Sequence, residues 1–317
     1  MTSAGDTSVE TVLRDELARA DRALSSVAPV LGHILANSGD ALVSDAIVAR
    51  VRGMLIDLAR QFVARLPAEE LGDEGQGADP IDTLAQRFAQ DAPMLASLHS
   101  AAIEGILAER LEQRSGLDPV LSPLWQELIA SSDPMTAETA MQALAAQSRF
   151  MQSQRRMQHP VSDLAPETLE RALRIWARGT PVDKEAEATA SIRRFKADYD
   201  EASSRAGLIA RLIARMGAGA IAALELDHSG LALFTSALAQ LSGQSRERAV
   251  LACYDRQSAR LALGLRAAGL NVQGVERQFV TLGPTERLPR GLEALSARSA
   301  RAMLQSSRLA ASEAAHR

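Results

Sequence analysis

The sequence predicts an all-α protein, an N-terminal helical bundle followed by an array of helical hairpins. Three observations predict it. Aromatic residues make up only 3% of the 317 residues while Ala, Leu and Arg recur throughout, and strands draw instead on β-branched and aromatic side chains. Apolar residues return at three- and four-residue steps, which places them on one face of a helix. Glycine and proline fall mainly between these runs, where they punctuate helices. With 46% hydrophobic and 23% charged residues, the chain holds enough apolar material for about two domains of ordinary size. A β-sandwich is excluded.

The N-terminal bundle, 1–66, comprises amphipathic helices at 9–24 and 27–36 and a longer one at 44–66. In the longest, Ile47, Val48, Val51, Leu55, Leu58, Phe62 and Leu66 share a face, with Ser44 or Asp40 as its cap. Residues 67–80 are acidic, glycine-rich and bracketed by Pro67 and Pro80, the composition of a linker or loop. A middle helical region, 81–180, carries helices at 81–88, 94–113, 123–130 and 137–157. Asp133-Pro134 and Ala165-Pro166 mark helix starts, because proline in the first turn forfeits no hydrogen bond. The C-terminal region, 181–317, opens with a helix expected to run from 183 to 216, its stripe including Ile192, Phe195, Tyr199, Ile209 and Met216. Shorter helices follow at 220–226, 231–241, 246–254 and 256–268, then at 273–281 and 286–310. Residues 279–282 are the one stretch with any strand character.

The formal net charge of −4 conceals an asymmetry, since residues 1–148 carry −12 and residues 149–317 carry +8. Only Lys184 and Lys196 are lysines; the other 33 basic residues are arginines, whose planar forks suit carboxylate and phosphate. The clusters Arg149, Arg155, Arg156 and Arg193, Arg194, Lys196 suit a solvated face or an anion-binding surface, or dock on the acidic half. With Cys253 the only cysteine, neither a disulfide within the chain nor a cysteine cluster for a metal is expected. The first 26 residues carry eight charged side chains and no apolar core, so no signal peptide is expected. Nor is a membrane span, which needs about 18 apolar residues. The expected location is the cytoplasm.

Candidate chemistry is sparse. Gly217-Ala-Gly219 has the outline of a dinucleotide-binding turn, but a helix precedes it where a strand is required, and it reads as a helix breaker. None of His33, His99, His159, His228 and His316 pairs at metal-ligand spacing. Asp227-His228-Ser229 reads as a turn or cap, since triads assemble from distant segments. Cys253 and the tryptophans Trp125 and Trp176 read as core. The segment 239–250 has the outline of a helix-turn-helix, with Gly243 at the turn and Arg246, Arg248, Arg256 and Arg260 as candidate contacts to phosphate, another anion or a protein partner. Tight packing of two helices requires the same small residue and glycine.

Within residues 231–270, Phe234, Ala237-Leu238-Ala239, Gly243, Arg246, Arg248, Asp255 and Arg266-Ala267-Ala268-Gly269-Leu270 form a pattern. This segment, about an eighth of the chain, resembles the C-terminal part of an alphaproteobacterial family known as domain of unknown function 2336. Gln257 and Arg260 stand where that family carries glycine, and Leu265 where it carries an aromatic residue. The resemblance implies a HEAT-like arrangement of helices and lends no catalytic residue. The function expected is that of a non-catalytic scaffold or regulatory protein without a cofactor or metal, binding another protein and able to self-associate. The alternative is a nucleic-acid-binding regulator that uses the segment 234–254.

Overall fold

A computed structural model of the chain describes residues 4–27, 29–31, 44–65, 79–179, 185–254, 257–283, 288–289 and 291–315. Among them are fourteen named α-helices and no strand, so the chain is all-α. They are α1 (Ala4–Ser25), α2 (Asp45–Val63), α3 (Pro80–Ala89), α4 (Ala92–Ser115), α5 (Pro123–Ile129), α6 (Pro134–Arg155) and α7 (Pro166–Ala177). The others are α8 (Glu185–Asp198), α9 (Arg205–Met216), α10 (Leu226–Ser242), α11 (Arg246–Ala252), α12 (Ser258–Ala267), α13 (Val272–Leu282) and α14 (Ala297–Ala315). The helices divide into two units interleaved in sequence: residues 1–26, 103–145 and 209–317, and residues 27–102 and 146–208.

Local chemistry sets the helix starts. Pro80, Pro123, Pro134 and Pro166 each open a helix, as their missing N–H and fixed φ favour. Asp79 accepts from the Ile81 N–H at 2.8 Å, so the last two residues of the expected loop 67–80 instead start α3. The rest of that loop lies outside the described residues, as does Asp40. Ser44 takes the N-cap position of α2 without a side-chain bond.

Four expectations need correction. The single helix 183–216 is two helices, because Asp200 caps the Ala202 N–H at 2.9 Å and Ser204 Oγ accepts from the Gly207 N–H at 3.1 Å, each side chain diverting the backbone from the helical ladder. Residues 217–224 form a 3-10 turn after Gly217, at φ 53°. The stretch 205–224 is by length and composition apolar enough to cross a membrane, at mean hydropathy 1.5, contrary to expectation, yet this turn ends the α-helix at Met216. The helix expected from Leu231 begins at Leu226 and bends at Gly230, φ 70°. Residues 279–282 close a helix: the Gly283 N–H donates to the Phe279 carbonyl at 2.8 Å, and Arg114 donates to the carbonyls of Val280, Thr281 and Gly283 at 2.9–3.3 Å.

In the first unit α10 is buried on almost every side and packs against α5, α11, α12, α13 and the 217–224 turn. A helix apolar all round belongs at the centre of a core. Trp125 on α5 is buried in the same unit. The second unit is organised by an aromatic cluster of Phe62 (α2), Phe88 (α3), Trp176 (α7) and Phe195 (α8), with ring centroids 5.1–6.3 Å from Phe62. Below it the buried Asp57 accepts from the Gln61 side chain at 2.7 Å and the His159 N–H at 3.1 Å. Gln61 also accepts from the Val161 N–H at 3.0 Å. These bonds tie the turn after α6 to α2.

Candidate partner-binding site

The turn between α10 and α11 joins two helices that pack on each other. Gly243 adopts φ 75°, a left-handed conformation that ends helices and favours glycine, and Ser245 caps α11 by accepting from the Arg248 N–H at 3.3 Å. Arg246 turns inward: its terminal nitrogens meet Glu104 of α4 at 2.8 and 2.7 Å, and its Nε donates to Ser236 at 3.0 Å. Glu104 is only 3% exposed. Arg260 lies deeper, 1% exposed. Arg248 is half-buried, and Arg256 lies outside the described residues. Of the four candidate arginines, two are therefore engaged by carboxylates of their own unit.

Arg260 is the centre of a seat for a helix. α1 packs on α12, α14 and the short turn Leu292–Ala294, bringing the start of the chain against its last third. Along α1, Leu13, Leu17 and Ala20 are buried, at steps of four and three that make one stripe. Asp21 follows at the edge of that stripe and pairs with Arg260. Its second carboxylate oxygen accepts from Ser307 on α14. Gln257 donates to the Ala20 carbonyl at 3.2 Å, near the C-terminal end of α1. Val9 lies against Gly291, where an added Cβ would come within 2.4 Å of it. Burial lowers the Arg260 pKa to about 10; the guanidinium remains charged at neutral pH and requires its carboxylate.

Sequence spacing names Arg260 but not Asp21, Gln257 or Glu104. A signal exists at Glu104, which interrupts the apolar run 101–108, since a charge on a buried stripe is seldom left unpaired; Asp21, between Ala20 and Arg22, gives none. Only the fold identifies the partners.

Other reactive groups are withdrawn from solution chemistry. Burial pushes the Cys253 thiol well above its ordinary range, and its Sγ meets the Ala249 carbonyl at 3.3 Å. Burial lowers the His99 pKa to about 4. Tyr199 is raised to about 12 by burial and then by nearby carboxylates, while its hydroxyl donates to the Leu164 carbonyl at 2.7 Å. His228 lies 3.4 Å from Glu127, and the Asp227-His228-Ser229 segment forms the start of α10. A cleft of about 290 Å³ in the second unit is lined by Arg65, Arg194, Phe195, Asp198, Tyr199 and Asp200. It sets two positive groups against two negative ones. Among the described residues no three His, Cys, Asp or Glu side chains are placed to hold a metal ion. Comparison with protein-family models, curated proteins and solved structures gives no match.

Proposed function

We propose that the chain is a non-catalytic helical scaffold, a regulatory protein that binds another protein through the hairpins of its C-terminal third. The observation that carries this reading is the seat on α12 and α14, which receives an amphipathic helix from a segment more than 200 residues away in sequence. Helix-in-groove recognition uses the same parts: apolar anchors at i, i+4 and i+7 and a charged group that fixes register. The non-catalytic part is supported by pKa values moved away from neutrality at His99 and Tyr199, where efficient proton transfer wants them near the working pH.

A HEAT-like stacking of the hairpins, membership of the family that residues 231–270 resemble, and a cytoplasmic location all belong to this proposal. Affinity capture with the full-length protein at mild salt tests it. The expected result is one protein retained in stoichiometric amount. Failure to retain any overturns it, and duplex DNA binding that weakens steeply with salt and is lost in Arg248→Glu then favours nucleic acid.

A further inference from the structure

The helix seat is well filled on its apolar side and incompletely satisfied at its polar end. Asp21 reaches one terminal nitrogen of Arg260, and Gln244 Oε1 accepts from the other at 3.3 Å. The Arg260 Nε is buried and makes no hydrogen bond, and Gln257 Oε1 is buried in the same condition. A buried donor or acceptor left unmatched forfeits its hydration without recompense, and the penalty is larger on a charged group. Meanwhile Val12, 51% exposed, and the exposed Glu10–Arg14 pair face solvent. α1 is thus an adequate occupant that leaves two specific atoms unserved.

We propose that α1 is a resident competitor, and that the seat accepts in its place an amphipathic helix of a partner protein. That helix carries aliphatic residues at the positions of Leu13 and Leu17 and a small residue at that of Ala20. At the position of Asp21 it carries a carboxylate long enough to bridge Nε and a terminal nitrogen of Arg260, as glutamate does. A neighbouring side-chain donor serves Gln257 Oε1. Bidentate pairing of a guanidinium with a carboxylate is stronger and more directional than a single contact, and this supplies the preference for the partner over α1. A helix with a neutral or basic residue there leaves the guanidinium charge buried and unpaired, which excludes it. Affinity for the partner is reduced by the fraction of molecules whose seat α1 holds. The proposal rests on the protein-binding reading above.

The probe is a fluorescein-labelled peptide of residues 4–25 carrying Asp21→Glu, added to the full-length protein. Leu13→Asp with Leu17→Asp in the protein unseats α1, and this variant is expected to bind the probe about tenfold or more tightly than wild type does. A second peptide with Asp21→Asn is expected to bind about tenfold or more weakly than the first. Circular dichroism establishes that the variant is folded; hydrogen exchange on the unaltered protein provides a measurement independent of it. Saturating unlabelled glutamate peptide should speed amide exchange in residues 13–25 of the chain and leave α12 protected. No binding by the folded variant, equal binding of the two peptides, or unchanged exchange in α1 overturns the proposal. A wild-type dimer that the peptide dissociates assigns the seat to a second copy and overturns it too. A captured partner that stays bound in saturating peptide overturns the seat while the protein-binding reading stands. Absence of any captured partner overturns that broader reading whatever the peptide does.

Discussion

Replacing Arg246 with methionine removes the guanidinium that holds both oxygens of an almost fully buried carboxylate. Glu104 is 3% exposed and both of its oxygens are held by Arg246, at 2.8 and 2.7 Å. Deleting one member of such a buried, hydrogen-bonded pair costs about 3–5 kcal/mol. Taking away both charges is far milder, because apolar groups of similar volume recover packing in place of the ion pair. The Arg246→Met, Glu104→Met double variant is therefore expected within about 1 kcal/mol of wild type, giving a coupling of at least about 2 kcal/mol. Urea unfolding followed by the fluorescence of Trp125, which lies in the same unit, measures all four corners of the cycle in a Trp176→Phe background. If Arg246→Met shifts stability by less than about 0.5 kcal/mol, or the double variant is as unstable as the two singles combined, the buried-pair reasoning fails. The same geometry makes Arg246→Glu a poor probe of nucleic-acid binding, since it sets two carboxylates together in the core. Arg248→Glu is the cleaner substitution.

Three further outcomes are expected. His99 has its pKa lowered from 6.5 to about 4 by burial, so the unfolded chain takes up a proton between those values and the folded chain does not; the stability this withholds is intact above pH 6.5 and lost as pH falls towards 4, by about 3 kcal/mol. Thermal melts across that window should steepen in wild type and flatten in His99→Leu, and equal slopes would refute the assignment. Cys253 should resist a thiol reagent at pH 8 in the native protein and react at once in denaturant, since reactivity follows the thiolate and exposure; rapid native labelling contradicts its burial. Gly283→Ala places a Cβ at φ 54° and into the Arg114 guanidinium, and should cost about 1–2 kcal/mol, read as a lower unfolding midpoint, with an unchanged midpoint counting against the cap.

Fold class and most helices are legible because local rules decide them. Proline at 80, 123, 134 and 166 and glycine at 243 act within a turn of where they stand. The break at 199–204 is not, because Tyr199 continues the apolar spacing while Asp200 and Ser204, unremarkable as letters, redirect the backbone with their side chains. The site divides in the same way. Arg246 and Arg260 are visible as charges near a turn, but whether an arginine faces solvent depends on carboxylates about 140 and 240 residues away. Charge counts over long segments register supply and not pairing. Gln257 shows only as a departure from a family pattern, while its place against Ala20 of α1 depends on how distant helices meet.

The separation between α1 and its seat has a consequence for synthesis. α1 leaves the ribosome more than 200 residues before the helices that cover it, so at about 5–20 residues per second it waits roughly 10–60 s for α12 and α14. Throughout that interval Leu13, Leu17 and Ala20, buried in the finished protein, lack the cover of α12 and α14. Whatever holds the nascent segment during that time meets the same stripe that later closes the first unit, and a chain truncated before α12 would lack both helices that cover it.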